Sequence, residues 1–346
     1  IARSSETMTI FALVIATLFI IIHMGRPWNF YWLFPYPNQR QVWTNFLSPL
    51  IFDVFAIATY FVSSLFFLYL GMIPDLGSLR HNMNGWRKRL YTSLSLDWRG
   101  TDREWYLHGK ASMFFSAFII PLVVSVHSIV SWDFAFSIVP GYKKTIFAPY
   151  FVTGALFSGF AGVTLLISVL RWIFPILKKY ITGAHYDRVG LMLLVSSLAW
   201  NYFTSLEIIT TLYASSPVEL EDLKYKLLTR PFSYLSALMI FSNAILPLVL
   251  VIRKIRGSPI SMCIISTFIL VGMWLERYLI ISNSLSRKYL PWMWHDYSPS
   301  WVEVSISIGS LFFFVSLFMI FIKVFPIISL FEVKEDIGIL VERKVE

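Results

Sequence analysis

Among its 346 residues the chain has a single cysteine, Cys263. That scarcity excludes an intrachain disulfide framework, and with it any iron-sulfur or zinc site built from several thiolates of this chain. Redox metal would need histidine, of which there are six, or another subunit. Charge is also sparse, at 14% of residues against 57% hydrophobic, and the mean hydropathy is +0.66. Such a composition belongs to a chain dissolved in lipid and rules out a water-soluble enzyme. There is no low-complexity segment or internal repeat, and no phosphate-loop, dinucleotide, zinc or hydrolase-elbow pattern in a supporting context. The net charge is +9, yet no long basic run or compact basic domain exists to receive nucleic acid.

What is present is a series of apolar stretches of membrane-spanning length, at 8–24, 46–73, 111–131, 148–174, 189–213, 232–252, 258–282 and 302–325. Runs such as MTIFALVIATLFIIIHM predict helices, since barrel strands would alternate over short segments. The fold class is therefore an all-α integral membrane protein of about eight transmembrane helices. The connections are short, which leaves no room for a separate catalytic domain. Lys and Arg number about 19 on the side holding both termini and about nine on the other, so both termini are expected to be cytoplasmic. The loops 25–45, 132–147, 214–231 and 283–301 then face outward. Small residues in FSGFAGV at 157–163 allow close helix approach, and Trp28, Trp43, Tyr150, Trp292 and Trp301 near span ends fit an interfacial belt. The first residue is Ile, with no charged leader and cleavage site ahead of the first span, so part of the natural N-terminus is expected to be missing. The tail 331–346 reads as a solvated cytoplasmic extension.

The informative residues are ionisable groups that hydropathy does not explain, because an Asp at a helix centre costs about 3 kcal/mol to insert. His23 closes the first span, Asp53 lies within SPLIFDVFAIATY of the second, and Asp133 follows the third. The direction of the spans puts all three at the outer end. His23 beside Arg26 also suits a simple interfacial placement, and Asp133 suits a helix-end carboxylate. One imidazole and two carboxylates at the edge of a lipid-exposed bundle suit a quinol, which reaches them through the membrane and must lose two protons as it loses two electrons.

The runs HMGRPWNFYWLFPYPN at 23–38, SPLIFDVFAIATYFVSSLFFLYLGMIPDL at 48–76, SVHSIVSWDFAFSIVPGYKKTIFAPYFVTGALFSGFAGV at 125–163 and GMWLERYLIISNSL at 272–285 resemble the NrfD, or polysulfide-reductase, membrane-subunit family. Within it they are most similar to the quinol-oxidising subunit of bacterial alternative complex III. The resemblance implies two four-helix bundles, here 1–188 with the quinol site and 189–330, followed by the tail. It places the quinol-site histidine on His23 and the two aspartates on Asp53 and Asp133. It implies menaquinol or ubiquinol as substrate and no haem or metal in this chain. Electrons would leave to an iron-sulfur subunit on the periplasmic face and then to cytochrome c subunits carrying haem c, with a second NrfD-like membrane subunit alongside and the bacterial inner membrane as location. Larger members have additional N-terminal helices that are absent from this sequence.

Other buried polar residues remain open to two readings each. Glu207 and Arg277 form an interhelical ion pair, or Tyr202, Glu207, Glu276 and Arg277 carry protons. Adjacent Glu276 and Arg277 are not expected to neutralise one another. His127 is a satisfied core histidine or a further contact of the quinol site, as is Arg26 at its edge. His81, His108, His185 and His295 are expected to be solvated, and Asp75, Asp97, Asp102 and Glu104 to make weak surface pairs. Two other functions compete. A haem-bearing cytochrome b needs axial histidines at matched depths, and only His23 and His127 qualify, both at one end. An ion- or proton-translocating transporter is suggested by Glu207 and Glu276 but lacks a matched pair of interrupted spans.

Overall fold

The computed structural model describes residues 2–22, 25–34, 49–142, 144–214, 216–327 and 329–330. His23 and the tail 331–346 lie outside the described residues, as do residues 35–48. Among the described residues all regular structure is helical, and eight helices are long and apolar enough to cross a membrane.

Four of these are α1 (Ala2–Ile22), α2 (Pro49–Leu79), α4 (Asp102–Ala135) and α5 (Phe147–Ile173), with the short α3 (Gly85–Leu94) between α2 and α4. There follow α6 (Gly183–Ala214), the short α7 (Pro217–Leu228), α8 (Phe232–Ile240), the one-turn α9 (Arg253–Arg256), α10 (Pro259–Ser286) and α11 (Trp301–Val324). α4 starts well before the expected 111, because DREWYLHGK continues the helix beyond the apolar run. Its 34 residues reach about 50 Å, more than a hydrocarbon core of about 30 Å.

Local chemistry explains the helix ends. Ser300 and Glu303 form a reciprocal capping box at the start of α11, and Ser258 with Pro259 opens α10. Several hydroxyls inside the spans bond to carbonyls one turn back, as with Thr164 on Phe160 O at 2.7 Å and Ser168 on Thr164 O at 2.6 Å. Lipid offers no water to do this. Large apolar side chains such as Phe114, Ile120, Leu311 and Phe312 point outward, as a lipid-facing surface requires.

One span is not a continuous α-helix. After Ile240 it passes through a π-turn at Phe241–Ile245 and a 3-10 stretch at Leu246–Val251 containing Pro247, whose missing N–H removes a helical bond.

The chain forms two compact units. The first gathers Ile1–Phe46, Val54–Val123 and Ser300–Glu346; the second gathers Leu47–Asp53 and Val124–Pro299. In the second, α5 packs against α6 and α10, and α10 is the most enclosed span.

In the first unit, Arg3, Asp75 and His108 are buried. Asp75 was expected at the surface and His108 in water. Instead, Arg3 Nη2 lies 2.8 Å from Asp75 Oδ2, the Leu330 amide donates to Asp75 Oδ1 at 2.9 Å, and His108 Nε2 meets Leu70 O at 3.1 Å with its ring against Trp98 and Trp105. The partners come from distant parts of the chain, and α2 runs past the expected end at 73 to enclose Asp75.

Candidate functional site

Asp53 and Asp133 both belong to the second unit. Asp53 stands near the start of the described part of α2, and Asp133 lies in the last turn of α4. A carboxylate in that last turn faces the negative end of the helix dipole and needs a proton or a cation nearby. What it has is the other carboxyl, since the Asp53 side chain lies close enough to act on that of Asp133. Two carboxylates this near one another in an apolar setting repel, and a proton taken up by one of them relieves the repulsion. Each side chain also keeps its Oδ1 buried with no hydrogen-bond partner among the described residues. Two neighbouring carboxyls with unused acceptors in an apolar setting are suited to taking a proton from a hydroxyl ligand.

His127 lies six residues before Asp133, roughly 240° around the helix. It is half-buried and feels the charge of Arg277 on α10. The Arg277 guanidinium lies over the Phe151 ring, its Cζ 3.9 Å from the centroid, and its Nη1 is buried with no partner among the described residues. Gly154 makes this possible, since a Cβ there would stand 2.8 Å from Arg277 Nη2.

The expected Glu207 to Arg277 ion pair does not form. Glu207 is buried and takes Lys144 Nζ at 2.5 Å, with Lys226 Nζ at 3.9 Å. Lys144 comes from the turn before α5 and Lys226 from α7, both nearer than α10's arginine. Arg277 instead curls back so that Nη2 is 3.8 Å from Glu276 Oε2, contrary to the expectation for adjacent residues. Its long flexible side chain makes this reach possible. Glu276 Oε1 also accepts from Trp200 Nε1 at 2.9 Å, and the Tyr150 phenol lies against the same carboxyl. Tyr202 is exposed on the outside of α6, beside Phe203, and not among these enclosed groups. Arg26 is exposed in the first unit, ahead of the 3-10 turn Pro27–Leu33.

Asp222, Asn283, Trp200 and Asn243 are enclosed as well, though nothing in the sequence singles them out. Asp222 on α7 is buried, and burial pushes its carboxyl up to about 6 against the pull of Lys226 and Lys144. Asn283 Nδ2 donates to its Oδ1 at 2.7 Å. Gly141, at φ +80°, passes so close that a Cβ would lie 2.8 Å from Asp222 Oδ2 and from Ser284 Oγ. Burial likewise raises the neighbouring Tyr142 phenol to about 12, with the Asp222 charge adding. In the π-turn, Asn243 Nδ2 meets Met273 Sδ at 3.4 Å while Asn243 O accepts from Ser197 Oγ at 2.8 Å. Pro247 was a visible sign of the break; nothing local marked the rest.

A protein-family profile described as "Polysulphide reductase, NrfD" matches residues 1–287. No curated protein matches the chain.

Proposed function

Because the chain belongs to the NrfD polysulphide reductase family, whose members are membrane subunits of quinone-linked oxidoreductases, we propose that its Asp53 and Asp133 pair is the proton-accepting end of a quinol-oxidising site. The observation that carries this reading is the pair itself: two neighbouring carboxyls within an apolar bundle, each with an unused buried oxygen. An unpaired acceptor in such a place costs stability unless a donor fills it, and a hydroxyl that arrives through lipid is a suitable donor.

In this reading a free Oδ1 accepts the first hydroxyl proton. The pair already holds one proton and has room for only one more, so the second proton needs a separate base. His127 of the same unit supplies it, and the charge of Arg277 favours an oxygen that is gaining negative charge. A bound quinone supplies the electron chemistry; the residues orient its oxygens, exclude water and hold the protons. Electrons pass to an iron-sulfur subunit and then to cytochrome c subunits, with a second NrfD-like subunit alongside, as in alternative complex III. The basic-residue asymmetry supports cytoplasmic termini in a bacterial inner membrane, hence release of protons at the periplasmic face.

Proton translocation through the second unit is a further part of the proposal. It rests on Glu276, whose carboxyl is enclosed near Trp200 and Tyr150, one turn beyond Gly272 and the broken span. Glu207 is the weaker candidate, because its charge is held by two lysines.

The test is steady-state quinol oxidation by assembled complexes carrying Asp53→Asn or Asp133→Asn. Each variant should keep its subunits and lose turnover by about two orders of magnitude or more, the usual contribution of a positioned base. Wild-type turnover in both would refute the assignment.

A further inference from the structure

We propose that the outward face of α3 is a docking surface for anionic phospholipid headgroups, with Trp86, Lys88 and Arg89 making the contacts. α3 has 10 residues, too few to cross a bilayer, and lies between two spanning helices. Its inner face is fixed to the end of a span. Tyr91 is buried and its hydroxyl donates to Val324 O at 2.7 Å, while Arg87 Nη2 donates to Lys323 O at 2.8 Å. These are among the last carbonyls of α11. Leu90 and Leu94 pack against the apolar cluster containing Leu68, Met72, Leu76 and Phe321. α3 therefore lies at the depth where acyl chains give way to headgroups.

The other face is basic and aromatic. Trp86 is 60% exposed and Lys88 and Arg89 are exposed. The acids of the same connection are engaged elsewhere: Asp97 with Arg99 and Arg80, and Glu104 with the amides of Arg99 and Thr101. Among the described residues no carboxylate forms an ion pair with Lys88 or Arg89. Two cations with no carboxylate partner among the described residues, and an indole, on one face of a short helix at headgroup depth match the recognition chemistry of a lipid phosphate carrying net negative charge. An acidic protein surface is the competing occupant, and the continuity of this face with the span end favours lipid.

The purified complex in detergent is titrated with phosphatidylglycerol or phosphatidylcholine, and bound lipids are counted by native mass spectrometry. Phosphatidylglycerol should bind more tightly to the wild type, and K88Q/R89Q should weaken it about 25-fold, from about 1 kcal/mol per removed charge. The same variant should leave phosphatidylcholine unchanged, and K224Q, on the exposed face of α7, should change neither. Equal phosphatidylglycerol affinity in wild type and K88Q/R89Q overturns the proposal. In native membranes, a photoreactive residue replacing Trp86 should label lipid. Labelling chiefly of another protein subunit overturns it in favour of a protein partner.

Discussion

Lys144→Met tests whether Glu207 is a structural staple of the segments before α5 and in α7 or a carrier of protons. Lys144 Nζ sits 2.5 Å from Glu207 Oε1, with side-chain exposures of 16% and 7%, so solvent screens the pair little. Removing one partner of a buried pair commonly costs 3 to 5 kcal/mol, because the other charge is left in a poor solvent. Here Lys226 remains at 3.9 Å and recovers part of that, so about 2 to 3 kcal/mol is expected. Lys226→Met alone, losing the longer contact, should cost about 1 kcal/mol. Glu207→Gln should largely abolish the effect of Lys144→Met, giving a coupling of about 2 kcal/mol in the double-mutant cycle. The assay is unfolding of the detergent-purified protein followed by intrinsic fluorescence, at low and high salt. A staple predicts a loss that salt hardly changes and a proton-to-electron ratio that Glu207→Gln leaves intact. A loss under about 0.5 kcal/mol for Lys144→Met, the range of an ordinary surface pair, would refute the reasoning.

Asp222→Asn should change the pH dependence of stability. The folded carboxyl is raised to about 6 from an ordinary value of 3.8, so the folded chain binds the extra proton between those limits. Its contribution is fully present below 3.8 and is lost as pH rises through 6, on the order of 3 kcal/mol in total. Thermal unfolding midpoints from pH 4 to 8 should flatten in the variant, and an unchanged slope would count against a raised Asp222. Gly272→Ala places a Cβ 2.3 Å from Asn243 Oδ1 and 2.8 Å from Ser242 Cβ. Overpacking of this kind costs about 3 kcal/mol, and a variant as stable as wild type would show that α10 does not pack on the π-turn so closely.

The eight spans were legible because hydropathy over about 20 residues is a strong, local signal. Their ends were less so, since the polar start of α4 remains helical outside the apolar run. Asp53 and Asp133 could be selected because a carboxylate in an apolar run is anomalous from sequence alone. Their partnership was read from span direction, and His23 lies outside the described residues. Ion pairing was the least legible level. Arg3 with Asp75, and Lys144 with Glu207, join residues 72 and 63 positions apart, and their lysine or arginine partners stand in segments that look solvated by composition. The same long-range closure hid Asp222, which reads as an ordinary acid on a short surface helix until Gly141 and Asn283 enclose it.

The central claim is that the Asp53 and Asp133 carboxyls take protons from the bound quinol. Redox-triggered infrared difference spectroscopy of the reconstituted complex observes those carboxyls directly. Proton uptake by the pair gives a protonated-carboxyl C=O band that changes on quinol oxidation and disappears in both Asp53→Asn and Asp133→Asn. A spectrum without such a band in the wild type, or the same band persisting in both variants, would contradict it.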